Sequence, residues 1–506
     1  MTGSRTLVLG SLIALSVAIP VFADACLAAD APVSEAVSNF AWHDKYYAQV
    51  NGGFAGFPGS FAGLAFSTRN LLHLGETLTL SATYGVRLHK VQFGLDGPTF
   101  FGKRIETGFT IYRQRFGYNQ ARESSILAFS RDISSFDQFD PSNVLNYVSY
   151  QTGGTAFAKF RIRSAAHIGV TYGYEISNLK PQTFATSEYF GDLAFQDLAE
   201  QGAFRHLRTS QLTLSFAYNT LDDAANATRG TAFSAGTAGA GPGGNVRKIE
   251  PFVEAKHFRQ GFRPGHVVGM HLRGSFLRGY AGRQAPPFDR YYLGGEDEVR
   301  GFESGSAGPI AFLPSQAAIL VLDSNGTPRM TPVIVNGIVT ETAQTMLIPV
   351  YRPISVGGDT KVVANVEYRI PLNRRLTVAL FADAGVSRIA LRGQIRPNDV
   401  VLETLTAFYP NASFSVLPRI QQETQRIRMS TGGELQIRVP GLNIPVRFYG
   451  AFNPSIYRGT LLAQLLIDRS MFQNSATYQE GINAASTPTP FRDRRFLFRF
   501  AIGRTF

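Results

Sequence analysis

The chain is 506 residues long, 44% hydrophobic and 12% aromatic, with a formal net charge of +12, one cysteine and a mean hydropathy of −0.04. No run of about eighteen apolar residues follows the N-terminal leader, which excludes a helical membrane protein, and the lone Cys26 excludes an internal disulfide. The basic excess does not describe a nucleic-acid binder, because only eight of the 49 basic residues are lysine and they form no run.

Residues 1–29 have the order of an export signal. Arg5 supplies the basic start, Leu7 to Val21 is almost wholly apolar, and the small residues Ala23, Ala25, Ala28 and Ala29 follow. Cleavage is expected after Ala25 or Ala29, leaving 30–45 as a short periplasmic segment ahead of one domain over 46–506.

That domain mixes apolar residues with Gly, Ser, Thr and Arg at a period of two. In Thr77 to Tyr84, Leu78, Leu80, Ala82 and Tyr84 oppose Thr77, Thr79, Ser81 and Thr83; in Gln211 to Tyr218, Leu212, Leu214, Phe216 and Tyr218 oppose Gln211, Thr213, Ser215 and Ala217. One face suits lipid and the other a polar lumen, as in a transmembrane β-barrel. Strands are expected at 46–54, 61–72, 77–85, 88–97, 104–116, 151–163, 165–178, 207–221, 229–237, 246–258, 265–280, 360–371, 376–387, 426–439, 443–453 and 495–506. About sixteen is an even number, which a closed single-chain bacterial barrel needs. The connections alternate: tight turns at Pro98 to Gly102, Pro371 to Arg374 and Pro440 to Gly441, long loops over 117–150, 179–206, 281–359, 388–425 and 454–494. Short turns belong on the periplasmic side and long loops outside. Phe496, Phe498, Phe500, Ile502 and the terminal Phe506 are expected to share a face, an aromatic ending of the kind outer-membrane assembly machinery reads.

The longest connection contains Tyr291 to Pro309, YYLGGEDEVRGFESGSAGP. Gly294, Gly295 and Gly301 permit sharp turns, Phe302 is an apolar anchor, and Arg300 offers a planar fork suited to carboxylates. Along Val362 to Ile370 and Leu376 to Gly385, alternation turns Glu367 and Asp383 toward the lumen. These acids can receive Arg300, or pair with Arg369, Arg428 or Arg447; spacing leaves both open. Glu296, Asp297 and Glu298 read as solvated turn acids. The chain holds no HExxH, GxSxG or CxxC, and its histidines lack ligand spacing, so no catalytic residues, metal site or cofactor are expected.

Gly294-Gly295, Val299-Arg300-Gly301-Phe302 and Gly308-Pro309 resemble the sixth-loop motif of the BamA/TamA family of outer-membrane proteins, the bacterial surface antigens. Asn70-Leu71-Leu72 with Gly75, Asp222-Asp223 through Thr228-Arg229-Gly230, Phe381-x-Asp383-x-Gly385, and Ser430-x-Gly432 with Pro440 resemble its other motifs, in order. The resemblance implies an all-β, sixteen-stranded antiparallel transmembrane β-barrel whose long sixth extracellular loop folds into a wet lumen, with Arg300, Gly301 and Phe302 locked to Glu367 and Asp383. It also implies a lateral seam beside Phe496, Phe498, Phe500, Gly503 and Phe506. The glycines Gly52 and Gly53 weaken the first strand's pairing there. Family members carry periplasmic POTRA modules, for which the stretch from Asp30 to the first strand has no room. The function implied is assisted insertion of unfolded outer-membrane protein clients among outer-membrane lipids of a Gram-negative-type cell, together with a separate POTRA-bearing or accessory periplasmic protein. The alternative is a passive pore or secretion channel, its lumen lined by Arg273, Arg369, Arg428, Arg438, Arg447 and Arg499 and therefore favouring anions.

Overall fold

The structure is a computed structural model that describes residues 36–43, 46–55, 59–100, 105–122, 135–136, 139, 144–193, 195, 204–223, 226–335, 338–438, 445–485, 488–502 and 506. The expected export signal, Gly503 and the Pro440-Gly441 turn lie outside the described residues.

Long antiparallel strands wind into a wall. In chain order they begin with β1 (Ala36–His43), β2 (Tyr46–Ala55), β3 (Gly59–Arg69), β4 (Thr77–Gly85), β5 (Leu88–Phe100) and β6 (Ile105–Asn119). They continue with β7 (Asn146–Arg163), β8 (Ala166–Pro181), β9 (Leu207–Asn219), β10 (Gly230–Ala240), β11 (Lys248–Gln260), β12 (Val267–Phe276) and its two-residue continuation β13 (Arg278–Gly279). The long connection that follows holds β14 (Ile310–Leu320), the hairpin β15 (Met330–Val335) and β16 (Ile338–Ala343), and β17 (Thr345–Ser355). Next are β18 (Thr360–Pro371), β19 (Leu376–Arg388), the short β20 (Arg419–Ile420), β21 (Arg428–Arg438) and β22 (Pro445–Phe452). Last come β23 (Arg458–Leu461), β24 (Gln464–Leu465) and β25 (Thr489–Arg492) in the final loop, and β26 (Phe496–Ile502) in the wall. Among the described residues three α-helices, α1 (Phe184–Asp192), α2 (Asp399–Phe408) and α3 (Ser475–Ala485), sit in the long loops.

Every expected strand falls on one strand of the wall, and each is joined antiparallel to its neighbour in sequence along the wall from β2 to β22 and on to β26. β1 was not expected. It lies in the segment assigned to the periplasm and pairs with β2 from Ala36↔Gly52 to His43↔Tyr46.

Burial is inverted relative to a soluble protein. Leu64, Leu80, Ile111, Leu214, Leu272 and Leu380 are exposed on the outer face, whereas Gln114, Gln151, His271, Asn365 and Glu367 are buried on the inner one. That is the alternation a barrel needs when lipid is its outer solvent. At the long-loop end, β14 and β17 pair along their whole length and are flanked by β20 and β24, making a small sheet over the mouth. Aromatic clusters seal it: Phe136, Phe139, Phe312, Tyr457 and Phe491 in one, Tyr147, Tyr189, Phe190, Phe288 and Tyr292 in another.

Candidate functional site

The segment after β13 folds back on itself because its glycines allow it. Gly294 and Gly295 have φ of +116° and +111°, and a Cβ on Gly294 would stand 2.2 Å from the Glu303 carbonyl oxygen. Leu293 N–H donates to the Ala307 carbonyl at 2.7 Å and Gly295 N–H to that of Phe302 at 2.9 Å, so the segment forms a narrow finger with Arg300 near its tip. Phe302 packs with Leu293, Val299, Ala307 and the wall residue Val363 in one buried cluster. Gly301 passes so close to the wall that a Cβ would lie 1.6 Å from Asn453 Oδ1 and 2.7 Å from Ser430 Cβ.

Arg300 is fully buried. Its Nε and Nη2 donate to Asp383 Oδ2 and Oδ1, both at 2.8 Å, a two-pronged contact, while Nη1 donates to Glu367 Oε1 at 2.6 Å. The guanidinium carbon lies 3.7 Å from the Phe381 ring centroid, and the Arg300 backbone N–H also reaches Asp383 Oδ2 at 3.1 Å. The two open pairings are thus both used: Glu367 also accepts from Arg369 Nε at 2.8 Å through its second oxygen. A third acid was missed. Glu434 on β21 accepts from Arg300 Nη1 at 3.4 Å and from Arg447 Nη1 at 3.3 Å. The period of two along Arg428–Arg438 places Arg428, Ser430, Gly432, Glu434 and Gln436 on one inward face, which was the available signal.

Three expectations about the lumen are corrected. Glu296, Asp297 and Glu298 are buried, because the loop enters the barrel and carries them to wall cations: Glu298 meets Lys361 Nζ at 2.7 Å and Asp297 lies 4.0 Å from Arg447. The lumen around the lock is not wet, since the side chains of Arg300, Glu367, Asp383 and Glu434 are at most 1% exposed. Nor do the arginines form an open anion-favouring lining. Arg273 faces Glu254, Arg369 faces Glu367, Arg428 faces Asp493, Arg447 faces Glu434, and Arg499 faces Glu303; Arg438 is exposed at the end of β21.

The terminal strand divides. Phe496 and Phe498 are 60% and 82% exposed on the outer face, and Phe496 and Phe500 pack at a tilt against Phe452 and Phe448 of β22, with ring centroids 5.1 and 5.2 Å apart. Phe506 does not share that face. β26 is described as far as Ile502, and Phe506 lies inside the barrel, stacked on His271 at 5.2 Å, 5.9 Å from Phe258 and beneath Arg369 at 5.6 Å. These partners belong to β11, β12 and β18 on a different part of the wall. Gly269 leaves the space, since a Cβ there would be 3.2 Å from the Phe506 ring.

Comparison with known proteins agrees with this geometry. Residues 70–460 match the model of the Omp85 superfamily domain. Over 96 residues the chain is 34% identical to the outer membrane protein assembly factor BamA of Nitratidesulfovibrio vulgaris, an overlap of 19% of this chain and only 12% of that protein. The crystal structure of BamA from Haemophilus ducreyi lacking POTRA domains 1-3 superposes with a TM-score of 0.56 at 16% identity, covering 91% of this chain and 70% of that one. CdiB from Acinetobacter baumannii is more distant, with a TM-score of 0.43 at 10% identity over 93% of this chain and 59% of the other. With its wall of antiparallel strands, its inward sixth loop and a family match over most of its length, the chain belongs to the Omp85 superfamily of outer-membrane β-barrels.

Proposed function

We propose that this barrel assists the insertion of unfolded outer-membrane proteins through a seam beside β26, working with a separate periplasmic partner that delivers clients. The observation that carries the reading is the behaviour of the last strand. Among the described residues β26 spans seven positions against eighteen in β7, and Phe506 is buried in the lumen. A wall that is shortest where its ends meet is easiest to part there. The exposed backbone of a parted edge then templates an incoming strand by pairing, with no covalent chemistry. The lock at Arg300 fits the same role by holding the sixth loop against β18, β19 and β21 while the seam region moves.

The passive-pore alternative draws no comparable support, because the loop finger enters the lumen and pairs with its cations. The test is to place the purified chain in liposomes and follow folding of a small unfolded barrel protein, with Arg300→Ala alongside. Acceleration by the wild type that falls in the variant supports the proposal. Absence of acceleration with steady ion conductance through the same vesicles would favour the pore.

A further inference from the structure

The outer face of β6 to β9, at the long-loop end, holds a cluster of cations that the seam and the lock do not use. On β6, Tyr112, Gln114 and Phe116 are buried inward, so Arg113 and Arg115 face out. Tyr150 on β7, Lys180 on β8 and Arg208 on β9 also face out. Strand register sets their places. Arg113, Thr152, Ile176 and Arg208 form one row across four strands, and Arg115, Tyr150 and Asn178 form the next row toward the loops. Lys180 stands one step further out, its ammonium 5.5 Å from the Tyr150 ring centroid. With strands about 4.8 Å apart, the first row spans roughly 15 Å.

Among the described residues no carboxylate shares this surface. Glu175, on β8, points inward and accepts from Tyr112 Oη at 2.6 Å, and among the described residues no ion pair includes any of the four cations. Toward the middle of the wall the same strands present Ile111, Tyr172 and Leu212 to lipid. The cost of a lipid-facing arginine falls steeply from the bilayer centre to the headgroup level, so these cations mark that level. Cations clustered there without acids complement phosphate, and the planar arginine fork binds it through paired donors.

We propose that Arg113, Arg115, Lys180 and Arg208, arranged around Tyr150, bind the phosphate groups of an anionic glycolipid of the outer leaflet. Tyr150 offers its ring to the sugar beside those phosphates. The site orients one arc of the barrel against ordered lipid, on strands well removed from β26. It depends on the long loops facing outside and is independent of client handling.

The test uses the full chain in phosphatidylcholine nanodiscs doped with diphosphoryl lipid A, with bound lipid counted by native mass spectrometry. Wild type should retain the lipid, and R113Q/R115Q/K180Q/R208Q should bind it about a hundredfold more weakly, each surface cation contributing several-fold. A second arm needs no variant: wild type offered lipid A stripped of both phosphates should retain none. Equal retention of the stripped lipid, or unchanged affinity in a folded variant, overturns the proposal. Displacement of the lipid by inorganic phosphate at equal concentration overturns the lipid assignment, since the site would then read the free anion. Client-folding rates measured in parallel separate failure here from failure of the insertion reading.

Discussion

Arg300 answers three carboxylates from three strands at once, Glu367 on β18, Asp383 on β19 and Glu434 on β21. Arg300→Ala strands those acids in a dry site, and removing one partner of a buried ion pair costs about 3–5 kcal/mol. The wall ladders do not depend on it, so the variant should still fold while trypsin gains access to Arg283 and Arg290, which are half-buried and buried in the wild type. Arg300→Lys restores charge without the two-pronged contact and should fall between the two. An unchanged cleavage rate at those residues in Arg300→Ala would refute the lock. A second residue-scale prediction concerns the turn after β9. Slight burial pushes the Asp222 carboxyl up, but the Thr228 hydroxyl and the N–H groups of Thr228, Arg229 and Asp223 outweigh it and hold it at about 2. A depressed folded value means stabilisation that is present above the unfolded pKa of about 3.9 and lost as pH falls through about 2. Asp222→Asn should therefore exchange the Thr228 and Arg229 amides faster at pH 6 and match wild type near pH 2; a gap that persists at pH 2 would count against it. Much at this scale was legible in sequence. Period-two alternation turns Glu367 and Asp383 inward without any structure, whereas Asn453, which donates to the Gly301 carbonyl, sits just past β22, beyond the reach of periodicity.

Among the elements, β1 and β26 sit at the two ends of the wall and constrain each other. β1 occupies the edge of β2 from Gly52 down to Tyr46, while β2 and β26 also approach one another. Removing residues 36–43 leaves the β2 backbone groups along that stretch in need of partners, and β26 is the nearest donor of them. The shortened chain should then show slower hydrogen exchange in peptides covering Phe496–Ile502. Equal or faster exchange would mean that β1 does not hold the two apart. Neither feature was readable from alternation. Ala36–His43 is a short strand whose partner edge becomes visible only with the barrel wound. Phe506 was placed outward by counting onward from Phe500, and counting does not foresee a tertiary contact, here with His271 and Phe258. The long strands were legible throughout because lipid on one side and a packed lumen on the other enforce the period along their whole length.

Taken as a whole molecule, the barrel is closed from within and from above. The Arg300 finger enters the middle and pairs with the wall, and the β14–β17 sheet lies over the mouth, tied to the loop with α1 where Tyr189 Oη donates to the Val356 carbonyl at 2.9 Å. With the finger in the lumen and the sheet over the mouth both in the path of an ion, wild-type vesicles should hold a steady conductance close to background. Excising 291–356 and bridging with a short Gly-Ser linker removes Glu296, Asp297, Glu298 and Glu303 together with Arg300. Lys361, Arg494 and Arg499 then lose their loop partners, and Arg447 keeps Glu434 while losing Asp297. The opened barrel should conduct several-fold above background and favour anions, read as the sign of the reversal potential in a salt gradient. High conductance by the intact chain would sink the plugged description and with it the main structural reason for preferring insertion to passive transport. Cation preference in the excised form would mean instead that Glu367, Asp383 and Glu434, relieved of Arg300, dominate the field inside the wall.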